Sequence, residues 1–276
     1  MREWWRTLTG GPAGALAGEL AGLVLPVDCA GCGAARSVLC GACRSALSGA
    51  VAGPVRLSPR PAGLPAVHAC APYEGAVRAV LLAHKERGGL PLAGALGAAL
   101  AAAVRSGATG GAGTGRTGGA GEVVLVPVPS ARHRVRARGH DPARRIALAA
   151  SARLRRAGVP ARVAPVLRLR RAVADQAGLG ALERRENLAG ALEARPHAGR
   201  VTAGAGRIVI VDDLVTTGAT LAEAARALRA AGIGPVGGAA AVAASAGSFV
   251  RPGASNGAGR GRADPVRDTF RPKTRE

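Results

Sequence analysis

The sequence predicts an α/β protein with a mostly parallel sheet flanked by helices, preceded by a small cysteine-rich module. Apolar, β-branched runs such as residues 122–128 and 207–211 alternate with helical patterns, which is typical of parallel strands covered on both faces. Four of the five cysteines fall within residues 29–43. The hydrophobic fraction of 48% is sufficient for a globular core, and the scarcity of aromatic residues (2%) implies a core of Leu, Val, Ile and Ala.

The chain has 276 residues and divides into a short series of predicted segments. Residues 1–50 form an N-terminal helix and four-cysteine module, and the Pro-rich residues 51–65 form a linker. Residues 66–247 form the α/β domain, in which the Gly-rich stretch 106–121 is predicted to be a disordered insertion. The polar, basic residues 248–276 are predicted to be a disordered tail.

The N-terminus has a short pattern of leucines at helical spacing, formed by Leu16, Leu20 and Leu23. Glu19 interrupts this apolar stretch, which favours an amphipathic helix over a signal peptide. No run of about 20 apolar residues is free of charges or of Gly and Pro breaks, so no membrane span is expected. The sequence therefore predicts a cytoplasmic protein.

The charge is strongly basic and unevenly distributed. The formal net charge is +21, and residues 132–171 contain 13 arginines but a single acidic residue, Asp141. Such an excess favours polyanionic partners, namely nucleic acid, phosphorylated ligands or an anionic membrane surface. The alternative is that these arginines only solvate helix surfaces.

Two CxxC pairs, Cys29–Cys32 and Cys40–Cys43, supply four sulfurs within a short segment. Four thiolates satisfy a closed tetrahedral zinc site, so we predict a structural zinc ion with no open coordination position. Two disulfides, a redox-active CxxC and an iron–sulfur cluster are the alternatives. Cys70 stands alone in a predicted strand and is expected to be a small buried apolar residue.

The segment 208–220 combines a β-branched strand, an acidic pair and a hydroxyl-rich turn before a predicted helix. Ligands of open α/β sheets bind at the carboxyl ends of the strands, and the first N–H groups of a helix favour phosphate. Thr220 and Glu223 have the spacing of a capping box at the start of that helix. The residues predicted to bind a sugar phosphate are Asp212, Asp213, Thr216, Thr217, Gly218 and Thr220. An ordinary βα turn is the alternative.

All thirteen positions of this segment resemble the phosphoribosyl pyrophosphate (PRPP) signature of type I phosphoribosyltransferases. The resemblance implies that Asp212 and Asp213 hold the ribose 2′- and 3′-hydroxyls and that the turn from Thr216 to Thr220 holds the 5′-phosphate. It also implies Mg²⁺, bound mainly through oxygens of the pyrophosphate and the ribose. The predicted fold is accordingly a type I phosphoribosyltransferase with a small N-terminal zinc-binding module.

From about residue 25 to residue 242 the chain resembles the ComF family, which joins a four-cysteine zinc module to a phosphoribosyltransferase domain. The resemblance departs from the family pattern at residues 140–142 (His-Asp-Pro) and at Val173, and residues 106–121 are an insertion. Besides the cysteines, the matching positions include Tyr73, Gly75, Lys85, Pro127, Pro129, Arg134, Arg138, Gly139, Arg168, Arg171, Gln176, Arg184 and Asn187.

The ComF resemblance implies transfer of phosphoribose from PRPP to an unknown acceptor, in connection with DNA uptake and competence. It assigns stabilisation of the leaving pyrophosphate to Lys85, Arg138, Arg171 and Arg184, and orientation of the loop or acceptor to Gln176 and Asn187. It suggests single-stranded DNA and the competence machinery as partners and leaves a homo-oligomer open. The alternatives are a non-catalytic PRPP-sensing or single-stranded-DNA-binding protein with the same fold, and a nucleobase salvage enzyme.

Overall fold

The computed structural model describes residues 28–48, 52–109, 121–171 and 188–249. The predicted N-terminal helix, residues 110–120 of the Gly-rich insertion and residues 250–276 of the tail lie outside these ranges. Gln176, Arg184 and Asn187, which the ComF resemblance places near the active site, also lie outside them.

Within the described residues, the main sheet has six strands in the order β1-β2-β8-β7-β3-β4. All neighbouring strands are parallel except β1 and β2, which pair antiparallel. The prediction of a mostly parallel sheet is therefore confirmed. The strands of this sheet are β1 (Gly53–Val55), β2 (Val67–Pro72), β3 (Val123–Pro127), β4 (Ala161–Val163), β7 (Arg207–Val215) and β8 (Val236–Ala244).

A separate antiparallel hairpin is formed by β5 (Leu167–Leu169) and β6 (Leu192–Ala194). The helices are α1 (Gly41–Ser48), α2 (Gly75–Glu86), α3 (Ala93–Thr109), α4 (Arg132–Arg138), α5 (Pro142–Arg156), α6 (Ala198–Thr202) and α7 (Ala219–Ala230). One core lies on the side of the sheet covered by α2, α3 and α5, and a second lies on the side covered by α7.

The strand order places a topological switch point between β3 and β7, which are direct neighbours in the sheet. The chain leaves β3 toward β4 on one side and leaves β7 toward β8 on the other. The connections that follow the two strands therefore diverge and leave a crevice beyond their carboxyl ends, where open α/β sheets bind ligands.

The core is packed from small residues, as the composition predicts. Residues 239–244 of β8 are all buried, and five of these six residues are alanine. At Gly97 of α3, a Cβ atom would overlap Ala149 of α5, so glycine allows these two helices to approach closely. Short side chains compensate for the missing aromatic rings by bringing the backbones together.

Residues Leu90–Ala108, which include α3, have a mean hydropathy of 1.3 over a length sufficient to cross a membrane. This stretch does not satisfy the sequence-based expectation that every apolar run is too short or too interrupted. Its side chains Leu96, Leu100 and Val104 are nevertheless buried in the main core beside α5 and the sheet. We therefore interpret it as the central helix of the folded domain.

Three predicted segment boundaries differ from the structure. The stretch predicted as a linker contains β1, and its side chains Leu57 and Leu64 are buried. They belong to the core on the same face of the sheet as α7. Residues 106–109, assigned by sequence to the Gly-rich insertion, continue α3. Phe249, assigned to the tail, forms a β-bridge with Val55.

Candidate functional site

The four cysteines of the N-terminal module converge on one point, as their spacing predicts. The Sγ atoms of Cys29, Cys32, Cys40 and Cys43 all lie within 4.8 Å of one another. Sγ of Cys32 and Sγ of Cys40 are 3.6 Å apart. Tetrahedral zinc with Zn–S bonds of about 2.3 Å requires sulfurs roughly 3.8 Å apart, so the cluster fits a zinc ion.

Backbone geometry around the cluster also suits thiolate ligands. The backbone N–H of Cys40 donates to Sγ of Cys29 at 3.3 Å. This hydrogen bond is the main reason that the pKa of Cys29 is lowered to about 6. A Cβ atom on Gly31 would lie 2.6 Å from Sγ of Cys43, so only glycine leaves room for the sulfur.

Burial raises the pKa of Cys43, and the neighbouring thiols raise it further. Four neighbouring sulfurs cannot all lose their protons without a cation that compensates their charges. A divalent metal ion supplies that compensation, because a coordinating thiol is deprotonated outright.

The cysteine module is attached to the core of the α/β domain. Cys43 and Leu47 of α1 belong to the same buried cluster as Val77 and Val80 of α2. Cys70 is buried as predicted, and its thiol also donates toward the backbone carbonyls of Leu47 (3.3 Å) and Ser48 (3.2 Å) at the end of α1. The module and the sheet thus share one core.

The acidic pair lies at the carboxyl end of β7, which is longer than the predicted strand and includes both aspartates. Asp213 is 7% exposed, and its Oδ2 lies 3.0 Å from Nζ of Lys85 near the end of α2. The backbone N–H of Asp213 donates to Oδ1 of Asp212 at 2.8 Å. The structure therefore brings the predicted cation Lys85 to the predicted acids across 127 positions of sequence, counted from residue 85 to residue 212.

The two aspartates differ in their electrostatic environment. Burial and the charge of Asp213 raise the pKa of Asp212 well above its ordinary value. Burial acts in the same direction on Asp213, but the charge and hydrogen bond of Lys85, together with hydrogen bonds from Asp212 and Leu214, outweigh it and lower the pKa of Asp213. The charge of Asp213 in turn raises the pKa of Lys85. One carboxylate is thus neutralised by an internal ion pair, while its neighbour favours holding a proton.

The turn after β7 requires glycine at position 218. Gly218 has φ of 75°, in the left-handed region, and a Cβ atom there would lie 2.5 Å from Leu57 Cδ1. Gly218 precedes α7, and the N–H of Ala219 donates to Oγ1 of Thr217 at 3.4 Å. The first turn of this helix faces the carboxyl ends of the strands, where its dipole favours an anion.

The predicted capping box of Thr220 and Glu223 is wrong. The N-cap residue is Gly218, and it makes no side-chain capping hydrogen bond. Glu223 is buried and instead accepts a hydrogen bond from the backbone N–H of Leu192 in β6 at 3.1 Å. Arg226 donates to both oxygens of Glu223 and to the carbonyl of Leu192. This contact ties the hairpin to α7, a tertiary role that the local spacing could not indicate.

The acidic pair and the turn line a cleft of about 280 Å³ at the switch point. Residues 128–131, which follow β3, form its other wall together with Arg134 of α4. Thr217 and Gly218 shape the turn but do not line the cleft, and Arg171 lies in the neighbouring larger cleft. The predicted residues that line the smaller cleft are Lys85, Arg138, Asp212, Asp213, Thr216 and Thr220.

Three consecutive residues at the end of α2, residues 84–86, contact two residues of the cleft lining and a third residue outside it. Glu86 accepts two hydrogen bonds from Arg138, at 2.6 and 3.0 Å, beside the Lys85–Asp213 pair. His84 is 1% exposed, and its ring contacts that of His140 with centroids 5.4 Å apart. Sequence reasoning singled out Lys85 but missed both of its neighbours, because an isolated Glu or His on a helix carries no positional signal.

The sequence His140-Asp141-Pro142, a departure from the ComF pattern, has a clear structural role. Asp141 caps α5 by accepting the N–H of Arg144 at 3.1 Å, and Pro142 occupies the first turn. The same carboxylate accepts the N–H of Ser130 at 3.4 Å, which anchors the turn that follows β3. Asp141 therefore supports residues 128–131, which form one wall of the cleft, although residues 140–142 depart from the ComF pattern.

No protein-family model matches this chain, and no curated protein matches it. The resemblance to type I phosphoribosyltransferases and to the ComF family stays a prediction, resting on the residues described above.

Proposed function

We propose that this protein binds PRPP with Mg²⁺ and transfers the phosphoribosyl group to an acceptor, as a ComF-like phosphoribosyltransferase. One observation carries the proposal: the adjacent acids Asp212 and Asp213 and the start of α7 border the same cleft at the switch point of a parallel sheet. Carboxylates accept hydrogen bonds from ribose hydroxyls, and a helix start favours the 5′-phosphate. The cleft thus offers both halves of a sugar phosphate their preferred partners.

In the proposed reaction a nucleophile of the acceptor forms a bond to C1 of the ribose. The bond from C1 to the pyrophosphate oxygen breaks, pyrophosphate leaves with the electron pair, and the proton of the nucleophile passes to solvent. Lys85, Arg138 and Arg134 border the cleft and supply positive charge for the departing anion. Mg²⁺ would add to that charge; by the resemblance it would be held mainly by oxygens of the pyrophosphate and the ribose, beside the carboxyl groups of Asp212 and Asp213.

The four-cysteine cluster has a structural role in this proposal. Its four sulfurs would fill all four coordination positions of a tetrahedral zinc ion, so the metal would hold the module together without entering the reaction. Through the ComF resemblance we extend the proposal to a role in DNA uptake and competence, and to a protein that acts in the cytoplasm.

Calorimetric titration with PRPP and Mg²⁺ tests the binding step. At a pH above the raised pKa of Asp212, we expect saturable binding by the native chain and at least about tenfold weaker binding by Asp212→Asn and by Asp213→Asn, because each loses a charged acceptor for a hydroxyl. Glu122→Gln is the control, since Glu122 pairs with Arg162 away from the cleft. Absence of heat with the native chain, or equal binding by all variants, would refute the proposal.

Pyrophosphate release separates an enzyme from a PRPP sensor that shares its fold. The native chain, supplied with PRPP, Mg²⁺ and a panel of nitrogen nucleophiles, should release pyrophosphate with at least one of them. Lys85→Met should slow this release more than tenfold while weakening PRPP binding less, because Lys85 is expected to act on the leaving group. Tight PRPP binding without release for any nucleophile would support the sensor.

A further inference from the structure

A second cleft, of about 980 Å³, adjoins the cleft that contains the acidic pair. Residues 128–131 line both clefts, so the two clefts are immediate neighbours. The far wall of the larger cleft is the hairpin of β5 and β6. The contact between Glu223 and Leu192 fixes this hairpin to α7, the same helix that borders the smaller cleft.

Arginine dominates the larger cleft. Among the described residues, its lining carries seven arginines against two acidic residues, Asp141 and Glu193. Both acids are already engaged, since Glu193 pairs with Arg168 at 2.9 Å and Asp141 caps α5. In the described part of the chain, no ion pair with a carboxylate involves Arg132, Arg136, Arg144, Arg170 or Arg195. Among the described residues, these five arginines therefore concentrate positive charge in the cleft without a carboxylate partner.

The cleft also has an apolar floor. The buried side chains of Val128 and Leu167 are taken as this floor, and Pro165, Val135 and Leu169 are among the other apolar residues of the lining. A ligand complementary to this cleft would have a flat or apolar portion for the apolar residues and several negative charges for the arginines. The volume lies within the range for small-molecule sites, which is roughly 300–1,000 Å³, so the cleft has room for a mononucleotide.

We propose that the larger cleft is the acceptor site and that it takes a phosphorylated small molecule with a ring, of the nucleotide class. The inference rests on the proposed transfer from PRPP, because only then does a neighbouring site hold an acceptor. The arginines bind the phosphate of the acceptor, preferably through bidentate contacts, and the apolar floor supports its ring. Residues 128–131 set the boundary across which the nucleophile meets C1 of the ribose.

Nucleoside 5′-monophosphates and their matching nucleosides are the probes for this site. Calorimetry on the full chain without PRPP should show saturable nucleotide binding and at least about tenfold weaker nucleoside binding. Arg132→Gln combined with Arg170→Gln, one residue from each wall, should weaken nucleotide binding at least about tenfold. Arg156→Gln combined with Arg200→Gln removes the same charge from exposed positions outside the cleft and should change it less than about twofold.

The cleft variant should bind PRPP with Mg²⁺ as the native chain does, and a bound nucleotide should increase pyrophosphate release when its nucleoside does not. The inference fails if PRPP binds but no nucleotide does, if both double variants weaken nucleotide binding equally, or if nucleotides bind without promoting release. Binding of oligothymidylate of about 12 nucleotides without any mononucleotide binding would also overturn it, in favour of a nucleic-acid surface. Failure of the proposed function looks different, because PRPP binding itself would then be absent.

Discussion

The four-cysteine cluster and the acid-pair cleft are assembled in opposite ways. All four sulfurs of the cluster come from residues 29–43, whereas the predicted residues that line the cleft come from positions as distant as Lys85 and Thr220. Spacing alone brings the sulfurs together, because each CxxC pair turns two ligands toward one point. The cleft exists only because the sheet order sets β3 beside β7 and packs α2 against the same edge. A local site can be predicted completely from sequence, while a site built by topology can be predicted only in part.

The largest effect should follow from breaking the local site. Cys32→Ser removes one ligand at an exposed position, so little packing is lost and any destabilisation reports on the metal. We expect the metal content to fall from one zinc to none per chain and the thermal unfolding midpoint to fall by about 10 °C or more. Elemental analysis and calorimetry measure the two effects.

Cys70→Ala is the matched control for the metal, because Cys70 is buried outside the cluster. It should keep a full equivalent of zinc while losing some stability through the contact with α1. A chain that binds no metal in its native form, or a Cys32→Ser variant with unchanged zinc, would contradict the prediction.

A smaller effect on stability should follow from Gly218→Ala, in the turn beside the acid-pair cleft. The variant combines a positive φ with overlap against Leu57 and Leu64, so we expect a loss of about 2–3 kcal/mol in the free energy of unfolding by urea. Gly232→Ala has φ of 68° but meets no atom within 4 Å, and should cost only about 1 kcal/mol. Equal losses in the two variants would show that Gly218 is not held by the packing of residues 57 and 64.

The smallest expected effect is a pH dependence of PRPP binding. Burial and the charge of Asp213 raise the pKa of Asp212, so Asp212 keeps a proton at pH values where an ordinary carboxyl group is ionised. A ribose hydroxyl donates best to the ionised form, and affinity should therefore increase as pH rises through the raised pKa. The affinity for PRPP should rise at most about tenfold per pH unit through this contribution.

The pH profile of Asp212→Asn isolates this contribution, because the phosphates of PRPP titrate identically in both experiments. The ratio of native to variant affinity should rise with pH and level off once Asp212 is ionised. A ratio that stays constant or falls with rising pH would show that Asp212 does not bind the ribose as a carboxylate.

Much of the fold follows from local patterns in the sequence. The apolar run at residues 122–128 and the β-branched run at 207–211 became neighbouring parallel strands, and helices covered both faces of the sheet. The hairpin of β5 and β6 was missed, because strands of three residues are too short to show alternation. The edge strand β1 was missed because its Pro-rich sequence has the composition of a linker.

The candidate site was predicted to the extent that its residues share one motif. Asp212, Asp213, Thr216 and Thr220 border the cleft as their turn predicts. The role of Glu223 was misjudged because its local capping spacing competed with a buried contact to Leu192, and the tertiary contact was stronger. Neither the pairing of Glu86 with Arg138 nor the convergence of arginines in the larger cleft could be derived, since both depend on which helices meet in space.

The short distance between the four-cysteine cluster and α2 has a practical consequence. A Cβ atom at Gly31 would lie 3.3 Å from that of Ala76, and Lys85 is two and a half turns further along the same helix, at about 3.6 residues per turn. Trimming the first 50 residues to obtain a minimal α/β domain would uncover Val77 and Val80, which pack beside Cys43 and Leu47. Workers who seek a smaller crystallisable fragment should therefore keep residues 28–48.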